Sequence, residues 1–72
     1  MSTQGLIKFD GNVTRVHTDG LYHIKLDNRV EVHGKLCGDM HHDRTRVVTG
    51  DRVTVGLSPY DLTRGLILSR YG

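Results

Sequence analysis

Tyr22-His23-Ile24-Lys25-Leu26-Asp27-Asn28-Arg29-Val30-Glu31-Val32-His33 decides the fold. Tyr22, Ile24 and Leu26 alternate with His23 and Lys25, and Val30 and Val32 resume the alternation around Glu31 and His33. Successive strand side chains point to opposite faces, so each run makes a strand with one buried and one wet side. Asp27-Asn28-Arg29 is turn-forming sequence, and the two strands are expected to pair as a hairpin. Asn28 accepts positive φ, but Arg29 stands where a two-residue turn prefers glycine. The turn is therefore expected to be slightly longer or bulged.

The same period continues on both sides of the hairpin. Ile7, Phe9 and Val13 read as a first strand, with Gly11 inside it marking a bulge or sharp bend. Thr18-Asp19-Gly20 is a turn, as is Thr49-Gly50-Asp51. Val53, Val55 and Leu57 form a fourth strand, and Ser58-Pro59-Tyr60-Asp61 is a proline-initiated turn that leaves Tyr60 half-exposed, its ring under the last strand. Leu66-Ile67-Leu68 is a fifth, buried strand. The segment from Leu36 to Arg44 breaks the period. Leu36 and Met40 lie one helical turn apart there, which suits a short helix or 3-10 segment. Five short strands interrupted between the third and fourth predict an all-β, five-stranded OB barrel. The rival, an SH3-like barrel, usually carries its helical turn before the last strand. Closure removes the sheet edges on which so small a chain would aggregate.

At 72 residues the chain is one domain, residues 1–72, with Met1 to Gly5 expected to fray. A chain of this size buries only about 60% of the surface its unfolded form exposes, which argues against a deep substrate cavity. Cys37 is the one cysteine, so no internal disulfide can staple the fold. Leu6-Ile7 is followed at once by Lys8 and Asp10, and no apolar run approaches membrane-spanning length. A cytoplasmic protein with no membrane partner is the expectation. Ten Lys and Arg against eight Asp and Glu give a net charge of +2, which does not by itself establish nucleic-acid binding. The basic residues are mostly arginine, whose planar fork suits phosphate.

Arg44-Thr45-Arg46 follows the interruption. Alternation places Arg44 and Arg46 on one side of an extended strand with Val47 on the other, making either a phosphate or base-stacking site or a solvated pair balanced by Asp43 and Asp51. Cys37, His41 and His42, with Asp39 or Asp43 to add an oxygen, invite a metal reading, but structural zinc takes four ligands in paired motifs and this is one loose cluster. His41 and His42 read instead as exposed loop residues that become cationic near pH 6. Cys37 reads as a small buried apolar residue. No phosphate loop, nucleophile elbow or metalloprotease helix appears, and Asp19, Asp27, Asp51 and Asp61 suffice as turn residues. No enzyme and no cofactor is expected. The few aromatics make a thin single-strand stacking platform, which favours recognition of folded RNA by shape and phosphate.

Thr49-Gly50-Asp51-Arg52-Val53-Thr54-Val55 and Leu57-Ser58-Pro59-Tyr60-Asp61-Leu62-Thr63-Arg64-Gly65 resemble the carboxy-terminal half of bacterial translation initiation factor one. The likeness extends upstream through Ile7, Gly11, Val13, Leu26, Asn28, Gly38, Met40 and Arg46, without a gap over about residues 6–70. The resemblance implies a monomeric, non-catalytic OB-fold (S1-like) factor in the A site of the small ribosomal subunit. It would cover the decoding region of the 16S-type rRNA, touch a neighbouring ribosomal protein and act with the other initiation factors. The rRNA contacts implied are Arg46 with Met40 and Arg44 nearby, Arg64 and Arg70 on the adjoining surface, and His41 and His42 in the loop. The chain departs from the family where the loop carries Asp39, His41, His42 and Asp43 in place of fixed cations, where Arg29 replaces a glycine, and at Leu66 and Tyr71-Gly72. Those departures leave open a diverged paralogue, a less specific RNA-binding module or RNA chaperone, and a protein-interaction barrel with no RNA role.

Overall fold

The computed structural model describes residues 5–18, 20–38 and 46–71, and buried and outward positions alternate most cleanly over Tyr22–Leu26 and Glu31–Leu36. The strands are β1 (Ile7–Val16), β2 (Tyr22–Leu26), β3 (Glu31–Leu36), β4 (Arg52–Ser58) and β5 (Asp61–Tyr71). They close into a barrel in the order β1-β2-β3-β5-β4. β1 to β3 form a meander, and β4 and β5 a second antiparallel pair. Two seams join these halves. β1 pairs antiparallel with β4, from Ile7 opposite Leu57 to Asn12 opposite Arg52. β3 pairs parallel with β5, from His33 beside Arg64 to Leu36 beside Ile67.

The inward positions fill the barrel. Val13, Ile24, Val32, Val53, Val55, Leu57 and Ile67 are fully buried, and Tyr22, Leu26, Cys37 and Val47 complete the cluster, with Phe9, Leu36, Leu66 and Leu68 packed against it. Burying each large aliphatic side chain is worth about 1.5–3 kcal/mol, and these residues are the main source of stability. No disulfide contributes among the described residues, since Cys37 is free.

Two glycines let backbones approach more closely than a side chain would permit. Gly11 is shared between the two halves, opposite Leu26 on β2 and Val53 on β4. A Cβ there would lie 2.6 Å from the Lys25 carbonyl oxygen. At Gly65, where the parallel seam meets β4, a Cβ would sit 2.6 Å from Leu57 Cδ2 and 2.7 Å from the Gly56 carbonyl oxygen. The bulge expected at Gly11 lies slightly further on, between Val13 and Arg15.

The β2–β3 turn is a three-residue loop. Leu26 accepts from the Arg29 N–H at 2.8 Å and donates to the Val30 carbonyl at 2.8 Å, while Asn28 Oδ1 takes the Val30 N–H at 3.0 Å. Arg29 supplies the left-handed residue at φ 71°, as three-residue hairpins of this kind require.

Three expectations are corrected. The interruption begins later than expected: Leu36 is the last residue of β3 and the backbone turns helical at Gly38, while the rest of the expected segment, from Asp39 on, lies outside the described residues. Residues 46–48 are not part of a strand, because β4 starts at Arg52 and the backbone of Val48 bonds to Asp51 instead of to a ladder. Tyr60 is 98% exposed rather than half-covered. Its N–H bonds to Ser58 Oγ at 3.1 Å in a turn too tight to fold the ring back.

Candidate functional site

Residues 46–51 are held without joining the sheet. Val47 drops into the core at 3% exposure, which leaves Arg46 and Val48 on the outside. Gly50 N–H bonds to the Val13 carbonyl at 2.8 Å, Val13 N–H to the Asp51 carbonyl at 2.9 Å, and Asp51 N–H to the Val48 carbonyl at 3.1 Å. Asp51 Oδ2 takes the Val48 N–H at 3.0 Å. From β5, Arg70 Nη1 donates to the Arg46 carbonyl at 2.9 Å and lies 3.7 Å from Asp51 Oδ2. Arg70 is thus half spent on fixing the backbone of Arg46. The guanidinium of Arg46 is exposed and pairs with no acid among the described residues. A fixed backbone with a free arginine fork can accept a phosphate bidentately at little cost in ordering.

Arg64 stands elsewhere. It lies six residues from Arg70 on the same extended strand, about 20 Å away at the usual strand rise. Its side chain is 84% exposed and 3.9 Å from Asp61, a loose surface pair of little energetic weight. The Asp61 carboxyl is held below its usual range, first by the Thr63 hydroxyl and N–H and last by Arg64. Arg64 rims an open cleft of about 380 Å³ that also takes in Leu21, His33, Gly34, Lys35 and Leu66. The structure therefore brings Arg46 and Arg70 together and sets Arg64 towards the other end of β5. Met40, His41, His42 and Arg44 lie outside the described residues, as do Asp39 and Asp43 of the loose metal-like cluster. Among the described residues, no group of three or more His, Cys, Asp or Glu is arranged to hold a metal.

Arg52 is a cation committed to structure. Its Nη1 and Nη2 take both Asp27 oxygens, at 3.1 and 2.5 Å, and Nη1 reaches Asn12 Oδ1 at 3.2 Å, tying the β2–β3 turn to the start of β4. The hydrogen bond from Arg52 holds the Asp27 carboxyl below its usual range.

Sequence reasoning passed over a row of histidines on the outer face. The His17 and His23 rings lie 4.5 Å apart between centroids, and the His23 and His33 rings 4.4 Å apart. His23 faces Arg15 on β1 and His33 on β3. Burial, then His33, His17 and Arg15, push the His23 imidazole below its ordinary value against a weaker pull from Glu31. The alternation already turned His23 and His33 outward; what it lacked was the cross-strand register that makes them neighbours.

No family model matches the chain. A chloroplastic translation initiation factor IF-1 of Tetradesmus obliquus is 47% identical over 66 residues, covering 92% of this chain and 65% of that protein. The chain thus spans a little under two thirds of that relative's length. The translation initiation factor IF-1 of Azorhizobium caulinodans is 42% identical over 71 residues, covering 99% of this chain and 78% of its own length. Among solved structures, the solution structure of the same initiation factor from the Wolbachia endosymbiont of Brugia malayi superimposes with a TM-score of 0.81. It is 30% identical, over 99% of this chain and 84% of that one. A crystal structure of YjeQ from Thermotoga maritima has a TM-score of 0.73 at 19% identity, over 92% of this chain and 23% of that one, a likeness of fold alone.

Proposed function

Because the chain belongs to the translation initiation factor IF-1 family, we propose that it is a monomeric, non-catalytic factor that docks on the small ribosomal subunit at the A site. There it covers the decoding region of the rRNA beside a neighbouring ribosomal protein and acts with the other initiation factors in the cytoplasm. The observation that supports this reading best is Arg46, a free guanidinium on a backbone fixed by the Arg70 hydrogen bond of 2.9 Å. Arg70 adds positive charge beside it and Arg64 at a further place on the barrel, and Met40, His41, His42 and Arg44 precede Arg46 in the chain. Docking is by charge and shape: phosphates release counterions as arginines replace them, which makes affinity fall steeply with salt. No described helix is long and apolar enough to cross a membrane.

Sedimentation with purified small subunits tests the reading. About four phosphate contacts give a slope on the order of −3 for log affinity against log salt. Arg46→Ala should weaken binding about 5- to 150-fold, the equivalent of about 1–3 kcal/mol for a charge-assisted contact. Unchanged binding would remove Arg46 from the interface. Equal affinity for single-stranded RNA and for subunits would favour an RNA chaperone, and binding indifferent to salt a protein-interaction barrel.

A further inference from the structure

Arg46 owes its fixed backbone to Arg70, the penultimate residue of β5. The end of a strand frays unless something ties it down. The β3–β5 seam ends with Leu36 beside Ile67, so among the described residues Ser69, Arg70 and Tyr71 have a strand neighbour on the β4 side only. Tyr71 supplies a further tie. Its hydroxyl reaches over β4 and donates to Asp10 Oδ1 on β1 at 3.2 Å, a bond strengthened by the acceptor's charge. Thr54 on β4 stands between them, with Oγ1 2.8 Å from the same carboxylate oxygen and 3.0 Å from the Tyr71 hydroxyl. Its one hydrogen serves either acceptor. Register explains the meeting. Asp10 is opposite Thr54 and Arg52 is opposite Tyr71, which puts Asp10, Thr54 and Tyr71 on one outer face, with Tyr71 a diagonal step from Thr54. Asp10 and Thr54 are half-buried, so water competes less for the carboxylate than on an open surface. Arg70, one residue back and opposite the buried Val53, leaves β5 from its other side and meets the Arg46 carbonyl.

We propose that Tyr71 is a positioning residue for docking: its hydroxyl, held by Asp10 and Thr54, locks the end of β5 so that Arg70 keeps the backbone of Arg46 still. The inference rests on the docking reading through Arg46 and adds to it a group that acts without touching RNA, since the hydroxyl hydrogen is already given to Asp10. Without that tie, the last residues of β5 loosen, and the Arg70 bond to the Arg46 carbonyl and its approach to Asp51 loosen with them. Residues 48–51 keep their own bonds to Val13 and to one another. Arg46 precedes those bonds and loses its one backbone anchor. Binding must then order the residue at the moment of contact, and that ordering subtracts from affinity. A tie that served stability alone would act whether or not Arg46 were present. A positioning tie matters only while Arg46 is there to be positioned.

The test uses Tyr71→Phe, which removes one oxygen and keeps the ring. In the free chain, the backbone order parameter of Arg46 should be about 0.85 in the parent and fall towards about 0.6 in the variant, while Tyr22–Leu26 is unchanged. Asp10→Ala, which cuts the tie from its other end, should lower it as well. A value that stays at the parent's in both variants would overturn the inference. In sedimentation with purified small subunits, Tyr71→Phe should bind about 3- to 10-fold more weakly than the parent, the worth of one hydrogen bond. Tyr71→Phe/Arg46→Ala should bind no more weakly than Arg46→Ala alone. An equal loss with and without Arg46 would make Tyr71 an independent contact or a general stabiliser, and would overturn the inference. So would a Tyr71→Phe chain that binds as the parent does while Arg46→Ala does not, and the docking reading would stand. Parent-like binding of Arg46→Ala would overturn the docking reading, and this use of Tyr71 with it.

Discussion

Replacing Gly65 by alanine adds one methyl group where the barrel has no room for it. The new Cβ would meet Leu57 Cδ2 at 2.6 Å, the Gly56 carbonyl oxygen at 2.7 Å and Val55 Cγ1 at 2.7 Å. Carbon atoms in contact prefer about 3.5–4.0 Å, so each approach is too short by close to 1 Å. None of the three neighbours can retreat. Leu57 and Val55 are fully buried, and Gly56 belongs to the β4–β5 ladder. Relief requires β5 to move off β4, which also pulls on its parallel seam with β3. Overpacking usually costs about 1–3 kcal/mol, and three simultaneous clashes put this site at the top of that range. The whole stability of a chain of 72 residues is about 4–11 kcal/mol. A loss of about 3 kcal/mol lowers Tm by about 12–24 °C for a domain of this size. Thermal unfolding followed by circular dichroism measures it. Gly38→Ala is the control, since nothing lies within 4 Å of a Cβ there, and it should melt within about 2 °C of the parent. A Gly65→Ala barrel that melts as the parent does would refute the packing argument.

Two further outcomes bear on the turn and on pH. Arg29→Gly should raise stability by about 0.5–1 kcal/mol in urea unfolding, because the left-handed φ of 71° strains an arginine and not a glycine; a lower midpoint would count against the assigned conformation. Stability should fall with acidification in two steps. The lowered His23 value makes the unfolded chain take up that proton first, so the loss begins as pH drops through 6.5 and is complete below the folded value. The lowered Asp27 value keeps the Arg52 pair's contribution present above 3.8 and loses it as pH falls through the folded value. Urea midpoints at about pH 7.5 and 5.5 should therefore differ less in His23→Gln than in the parent, and equal differences would exclude His23 as the source.

The barrel was legible because its signals are local. Alternation gave the hairpin strands, and the awkward Arg29 foretold a turn longer than two residues. Where a side chain's partner is remote, the sequence was silent. Arg46 could be singled out from its neighbours, but the hydrogen bond from Arg70 that fixes its backbone joins positions 24 residues apart. Alternation at Val47 looked like a strand, although burial of one valine needs no ladder and Asp51 caps the segment instead. The histidine row needed the β1–β2 register, and a bulge between Val13 and Arg15 shifts that register by an amount no pattern records. Arg64 and Arg70 share a strand and look adjacent in function, yet six residues of extended backbone set them about 20 Å apart, towards opposite ends of β5.

The two seams also govern when this molecule comes into being. One brings position 33 beside 64 and the other position 7 beside 57, so neither can form until β5 and β4 respectively have been synthesised. A nascent chain growing at about 5–20 residues per second can assemble its first three strands early, but they hold only part of a core and two open edges until the rest emerges. Long-range pairing of this kind also slows the search for the native arrangement relative to a helical chain of equal length. A folding intermediate with β1, β2 and β3 in place would therefore be exposed to self-association along both β1 and β3, the strands still waiting for β4 and β5.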